Sequence, residues 1–415
     1  MRQLIESQAV TAMLPLPLPL SLSLPLDLRQ LQRGCDALQL CARAGGGISA
    51  NDCTGFALGW DHAHYRSSPP VAHAHVPSAL CSGPLAGQAV FGRRPLEASR
   101  HVRTWLAWRV HAWQHGRSVE AVQVTPNDLQ QIEVSHCPIT RERLDPAAFP
   151  VEASIDRVRN DAGYAAGNLA VMSRRANRAK AALGFHAALQ RAQAVDVPAV
   201  DTVPADANLS PAQWARVATL CSFVAPLTHA QACALPMLLL PPHRLRLFNP
   251  VQALQAFVSL QFLTPGWARR MHRFTDLLPG VALQRHFRSF FMSLLPRVLE
   301  AGKLSDQIET RWAIEDAWRT PCVQQRWTRF ACQLDAAQCE ALLTRAAALH
   351  LATALVLPLT EGDAIDGWNL ASGGYWVDPR YLNVSSAASV TSVTSATNAT
   401  HATFDAAREM RLGFT

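Results

Sequence analysis

The residues best placed to do chemistry lie within residues 137–180 of this 415-residue chain. Ser154-Ile155-Asp156-Arg157-Val158 alternates in polarity and reads as a short strand carrying one carboxylate. Residues 160–167 hold Asn160, Asp161, Gly163 and Gly167 and read as a loop. Asn168-Leu169-Ala170-Val171-Met172 follows as an apolar, extended run, and Ser173 can cap a helix that starts at Arg174. On that helix Arg174, Asn177 and Arg178 fall close together, and Lys180 follows Asn177 by three positions. A strand-borne carboxylate, a loop and a helix-borne amide among cations make a compact site for a metal ion and a phosphate. Each residue also has a plainer role. Asp156 can pair with Arg157, Arg159 or a helix arginine, Asn177 can be a polar helix-face residue, and Arg174, Arg175, Arg178 and Lys180 can be a solvated charge run.

In this order, Ser-Ile-Asp-Arg-Val, Gly163-Tyr164, Gly167-Asn168-Leu169 and Arg175-Ala176-Asn177-Arg178-Ala179-Lys180 resemble the core of HNH endonucleases. The likeness is to phage-type and mobile-element variants in which Asp-Arg replaces Asp-His, and it covers roughly a tenth of the chain. It implies a small ββα-metal (HNH-like) core with flanking helices; with the helical reading of the residues after Ser210, the expected fold class is α+β, this core being followed by a mainly α-helical C-terminal domain. It also implies that Asp156 and Asn177 hold one Mg²⁺ or Mn²⁺ ion and that Asn168 pins the loop through side-chain bonds to backbone. Arg157 stands where the family has the histidine that activates water. A guanidinium stays protonated near neutral pH and cannot serve as that base, though it can hold a phosphate. His136 is a candidate for a displaced base, and Tyr164 for packing the loop.

A second departure concerns zinc. Many relatives brace this fold with two Cys-x-x-Cys knuckles, and the matching positions here are Cys137, Thr140, Ser173 and Ala176. A structural zinc site takes four thiolate or imidazole ligands, so no structural zinc is expected. The core must then be braced by neighbouring helices. Residues 97–115 supply one: Ala98, Val102, Trp105, Leu106, Val110 and Trp113 share a face, with Trp108 nearby. Arg100, Thr104, His111 and His115 fall on another face, where the two histidines lack an evident third ligand.

The wider composition agrees with a polyanionic partner. The formal charge is +7, and only Lys180 and Lys303 among the basic residues are lysines. Arginine donates to phosphate in a fork. Residues 93–192 hold fourteen Arg and one Lys against nine acids, nearly the whole excess, so nucleic-acid contact is expected there and not in the C-terminal helices. DNA is expected more than RNA, with Arg157, Arg174, Arg175, Arg178 and Lys180 as phosphate contacts. Three functions remain open: a metal-dependent endonuclease, a non-catalytic nucleic-acid-binding module, and a protein-interaction module with a basic surface.

Ten cysteines show no C-x-x-C spacing and read as small residues of a reducing, cytoplasmic protein. Residues 13–28 are leucine- and proline-rich, a low-complexity lead-in and not a signal peptide, and no run has the length of a membrane helix. The expected organisation is a lead-in over 1–34, an HNH-like domain with an upstream basic helix over 35–192, and an acidic linker over 193–209. A helical domain over 210–383 and a Ser/Thr/Ala-rich tail over 384–415 follow. Ser210-Pro211, Asn249-Pro250 and Asp335 mark helix starts in the C-terminal half.

Overall fold

The computed structural model describes residues 50–68, 79–91, 96–145, 152–194, 208–351, 365 and 367–375. The lead-in, the tail and nearly all of the acidic linker lie outside these residues. Within them the chain is rich in helix with one two-stranded antiparallel sheet. No helix among the described residues is long and apolar enough to cross a membrane.

The sheet pairs β1 (Ala153–Arg157) with β2 (Leu169–Ser173), Ile155 lying opposite Val171 and Arg157 opposite Leu169. All of β2 is buried, which suits its apolar run. Gly167 turns the chain into β2 with a φ of +85°, in the left-handed region that L side chains rarely adopt. Ser173 leaves the sheet in an extended conformation and accepts from the Ala176 amide, starting α5 (Arg174–Lys180). Strand, loop, strand and helix thus occur as the residue types suggest.

Upstream, α1 (Ala50–His64), α2 (Ala79–Phe91) and α3 (Arg100–Gln114) precede a short helix, α4 (Pro126–Ile132). The tryptophans of α3 divide the work. Trp105 Nε1 donates to the Val124 carbonyl at 2.8 Å, and Trp108 meets Tyr164 edge-on at 4.6 Å. Trp105 thus ties α3 to the segment before α4, and Trp108 packs on the loop between the strands. Trp113 instead packs beside Leu58, Leu80 and Val110 on the side of α1 and α2.

Downstream, α6 (Phe185–Gln193) leads to α7 (Pro211–Phe223), α8 (His229–Ala234), α9 (Pro250–Gln261), α10 (Trp267–Leu277) and α11 (Val281–Ala301). Then come α12 (Gln307–Ala317), α13 (Pro321–Ala331), α14 (Ala336–Ala348) and a 3₁₀ turn at Leu370–Ser372. Ser210 and Asp335 each close a reciprocal capping box. Asn249 takes the N-cap position of α9, but its side chain donates to the Ser222 and Ala225 carbonyls and to Gln252. Its cap is spent on joining helices.

One contiguous core runs from Val102 through the sheet to Trp368. Arg141 donates to Asp316 at 2.6 and 2.9 Å and stacks 5.3 Å from Trp312. Arg216 donates to the Ile139 carbonyl at 2.9 Å, and burial among Arg141 and Arg319 pushes its guanidinium down to about 10. The helical half is therefore fastened to the strand–helix unit by buried ionic and backbone contacts.

Candidate functional site

The loop between the strands is built to one shape. Asn168 is fully buried, and its Oδ1 accepts from the Arg159 amide at 2.8 Å. Its Nδ2 donates to the Arg159 and Gly163 carbonyls at 3.1 and 3.0 Å. The amide satisfies three backbone groups that a buried loop would leave unpaired. From outside, Tyr164 pairs with the 118–120 segment, and the Gly163 amide donates to the Trp368 carbonyl at 2.7 Å. Asn168 thus occupies the loop-pinning place expected of it.

Beside this loop opens a cleft of about 240 Å³ lined by Asp156, Arg157, Asn160, Tyr164 and Asn177, with Ile155, Ala181 and Ala182. Three of the expected catalytic residues therefore share one surface. Their partners decide what that surface can do. Asp156 is 5% exposed, and its Oδ2 lies 2.9 Å from Nζ of Lys180. Lys180 is 0% exposed and also donates to the Arg157 carbonyl at 3.0 Å. Burial pushes the Asp156 carboxyl above its ordinary value, against the pull of Lys180 and Arg157. The placement of Lys180 corrects the expectation of a solvated phosphate contact. Helix α5 turns its last residue inward, and the ammonium sits on the carboxylate that was to hold a metal.

Asn177 Nδ2 donates to Ser154 Oγ at 2.7 Å, tying the helix to β1. Arg157 Nη1 donates to the Asn160 and Ala162 carbonyls at 3.1 and 2.9 Å, and the guanidinium lies 4.9 Å from the Tyr164 ring. Burial raises the Tyr164 phenol above its ordinary value while Arg157 pulls it back. Arg175 is held by Glu142 at 2.9 Å and by the Asn208 carbonyl at 2.7 Å. Arg174 and Arg178 are exposed on the outer face of α5. Of the five expected phosphate contacts, Arg174 and Arg178 are exposed, Arg178 with an interaction of its own, Arg157 and Arg175 bind protein groups, and Lys180 is inside.

The Asp156 carboxylate meets an ammonium, which competes with a divalent ion for it, while the Asn177 amide nitrogen faces a hydroxyl and leaves the amide oxygen as its possible ligand. No group of three or more His, Cys, Asp and Glu able to hold a metal occurs among the described residues. No imidazole lines the cleft. His136 lies edge-on to Trp312 at 5.5 Å, away from it. His111 and His115 stack at 4.2 Å on α3, where burial lowers His111. Behind the site Cys221 points its Sγ at the Val158 carbonyl, 3.9 Å away. Burial pushes that thiol up to about 11, so it is no thiolate nucleophile at neutral pH.

A corner that sequence alone leaves apart comes together here. Cys137 Sγ accepts from the Thr140 amide at 3.4 Å and from the Ser173 amide at 3.2 Å. The Thr140 and Ser173 hydroxyls lie 3.4 Å apart, and Ser173 Oγ accepts from the Ala176 amide at 3.2 Å. All four knuckle positions meet, joined by weak hydrogen bonds about one sulfur and two hydroxyls. Comparison with known protein families, curated proteins and solved structures gives no match to this chain.

Proposed function

We propose that residues 137–185 are an HNH-like ββα module that holds nucleic acid by its phosphate backbone without hydrolysing it. The single observation that carries this reading is the buried Lys180 ammonium 2.9 Å from Asp156 Oδ2. It neutralises the carboxylate that an endonuclease of this type needs for its metal, while Arg157 stands at the position of the base. The HNH-like part of the reading is supported by the order of strand, loop, strand and helix, by the Asn168 clamp and by the meeting of Cys137, Thr140, Ser173 and Ala176. Arg174 and Arg178, on the exposed face of α5, are the residues best placed for phosphates.

The test pairs plasmid cleavage in Mg²⁺ and Mn²⁺ with duplex binding followed by fluorescence anisotropy. The wild-type chain should leave plasmid intact in both metals and bind duplex with an affinity that falls steeply with salt. Nicking by the wild type that Asp156→Asn abolishes would replace this reading with a nuclease. Absent or salt-insensitive binding would remove nucleic acid as the partner.

A further inference from the structure

The positive charge of the C-terminal half is concentrated in one stretch. Residues 267–297 contain six arginines and a single acid, Asp276, a formal excess of five. The surrounding helices balance this, so an average over the whole half hides it. This stretch is a second concentration of positive charge, outside residues 93–192 where polyanion contact was expected.

Packing turns several of these arginines outward, while Arg270 binds nearby carbonyls and Arg297 pairs with Glu300. Helix α10 buries Met271 and Phe274, and α11 buries Leu283, Phe287, Phe290 and Leu294. Phe274 meets Phe287 at 5.1 Å, which sets α10 against one flank of α11. On the other flank Phe287 meets Phe330 at 5.1 Å and Phe290 meets Trp327 at 5.1 Å, so α13 runs antiparallel to α11. That register brings Arg326 to the Ser289 carbonyl at 3.2 Å, with Arg329 about one turn further along α13. With the aromatic faces turned inward, Arg269, Arg285, Arg288, Arg326 and Arg329 are all exposed. No carboxylate pairs with any of these five among the described residues.

We propose that the outer face of α10, α11 and α13 is a second nucleic-acid-binding surface, which grips the phosphates of a duplex. Guanidinium groups spread over adjacent helices match a row of phosphates better than a compact anion, and each can donate in a fork. A membrane surface fits less well. The apolar faces of these helices are mostly spent on the core, and the exposed Val281, Met292 and Leu299 are too few to seat a helix among acyl chains. The surface shares its ligand class with the strand–helix module but stands on different residues.

The experiment measures binding of the full chain to a 30-base-pair duplex across a salt series. It compares wild type, the triple variant Arg285→Gln/Arg288→Gln/Arg329→Gln, and the double variant Arg174→Gln/Arg178→Gln. The triple variant should weaken binding roughly tenfold or more and lower the slope of log K against log salt by about three. Its thermal midpoint should equal that of wild type, because the replaced groups are exposed. A triple variant that binds as wild type does overturns the proposal. If the triple variant loses binding and the double variant does not, the helical face stands and the phosphate role of the strand–helix module fails. Should the wild type bind phosphatidylserine vesicles through these arginines and ignore duplex, the surface is a membrane contact and the proposal is wrong.

Discussion

The strand–helix unit and the face made by α10, α11 and α13 are both rich in cations, yet they use them in opposite directions. In the first, most of the charge is turned inward or committed: Lys180 neutralises Asp156, Arg157 closes the loop by binding its carbonyls, and Arg175 holds Glu142, while Arg174 and Arg178 are exposed. In the second, aromatic rings fill the inner side, Arg326 donates to the Ser289 carbonyl, and Arg269, Arg285, Arg288 and Arg329 are exposed without a carboxylate partner among the described residues. The difference lies in what each cation finds within reach. Around the sheet there are buried carbonyls and carboxylates to satisfy, and a cation that satisfies them is part of the fold. Around α11 the acids are few, and the cations remain available to a partner.

This contrast predicts a large asymmetry in stability. Lys180→Met leaves a carboxylate buried without its counter-charge and should cost about 3–5 kcal/mol. Arg285→Met should cost no more than about 0.5 kcal/mol. Urea unfolding compares them, and equal costs would erase the distinction. Adding Asp156→Asn to Lys180→Met should recover part of the loss, since a neutral pair no longer strands a charge.

A smaller effect belongs to the loop. Asn168→Ala leaves the Arg159 amide and two carbonyls without their partner and should cost roughly 2–3 kcal/mol. Faster amide exchange at Arg159 is the local sign to seek. Unchanged exchange there would mean that the 118–120 segment alone holds the loop.

The smallest predicted effect concerns Glu133, which accepts from Arg100 at 2.7 Å through both oxygens and lies 3.1 Å from His101. The Arg100 hydrogen bonds hold its carboxyl below the ordinary value of 4.5. A depressed folded-state value contributes stability above the unfolded-state value, and that stability is lost as pH falls through the lowered one. Glu133→Gln should therefore cost under about 1 kcal/mol at pH 7, given the partial exposure of the pair, and nothing once pH falls well below 4.5. A cost that persists in acid would assign the effect to packing.

What could be read in the sequence was local. The two strands, the Ser173 cap, the Asn168 clamp and the caps at Ser210 and Asp335 all rest on partners close in the chain or on a pattern of few residues. The inward turn of Lys180 was not legible, because its place in the run of cations looks the same whether the helix rotates it to water or to Asp156. Arg141 meets Asp316 at a separation of 175 residues, and Trp368 reaches Ala166 across 202. No spacing rule ties such pairs together. The arginines of α10 and α11 were visible as letters, but which of them turn outward depended on the ring contacts that set the helix register.

The corner of Cys137, Thr140, Ser173 and Ala176 has one further consequence. It is closed by hydroxyls, backbone amides and one thiol. The amides of Thr140 and Ser173 both reach the sulfur of Cys137, so a single side chain ties the turn at 137–140 to the start of α5, and the two segments gain or lose their order together.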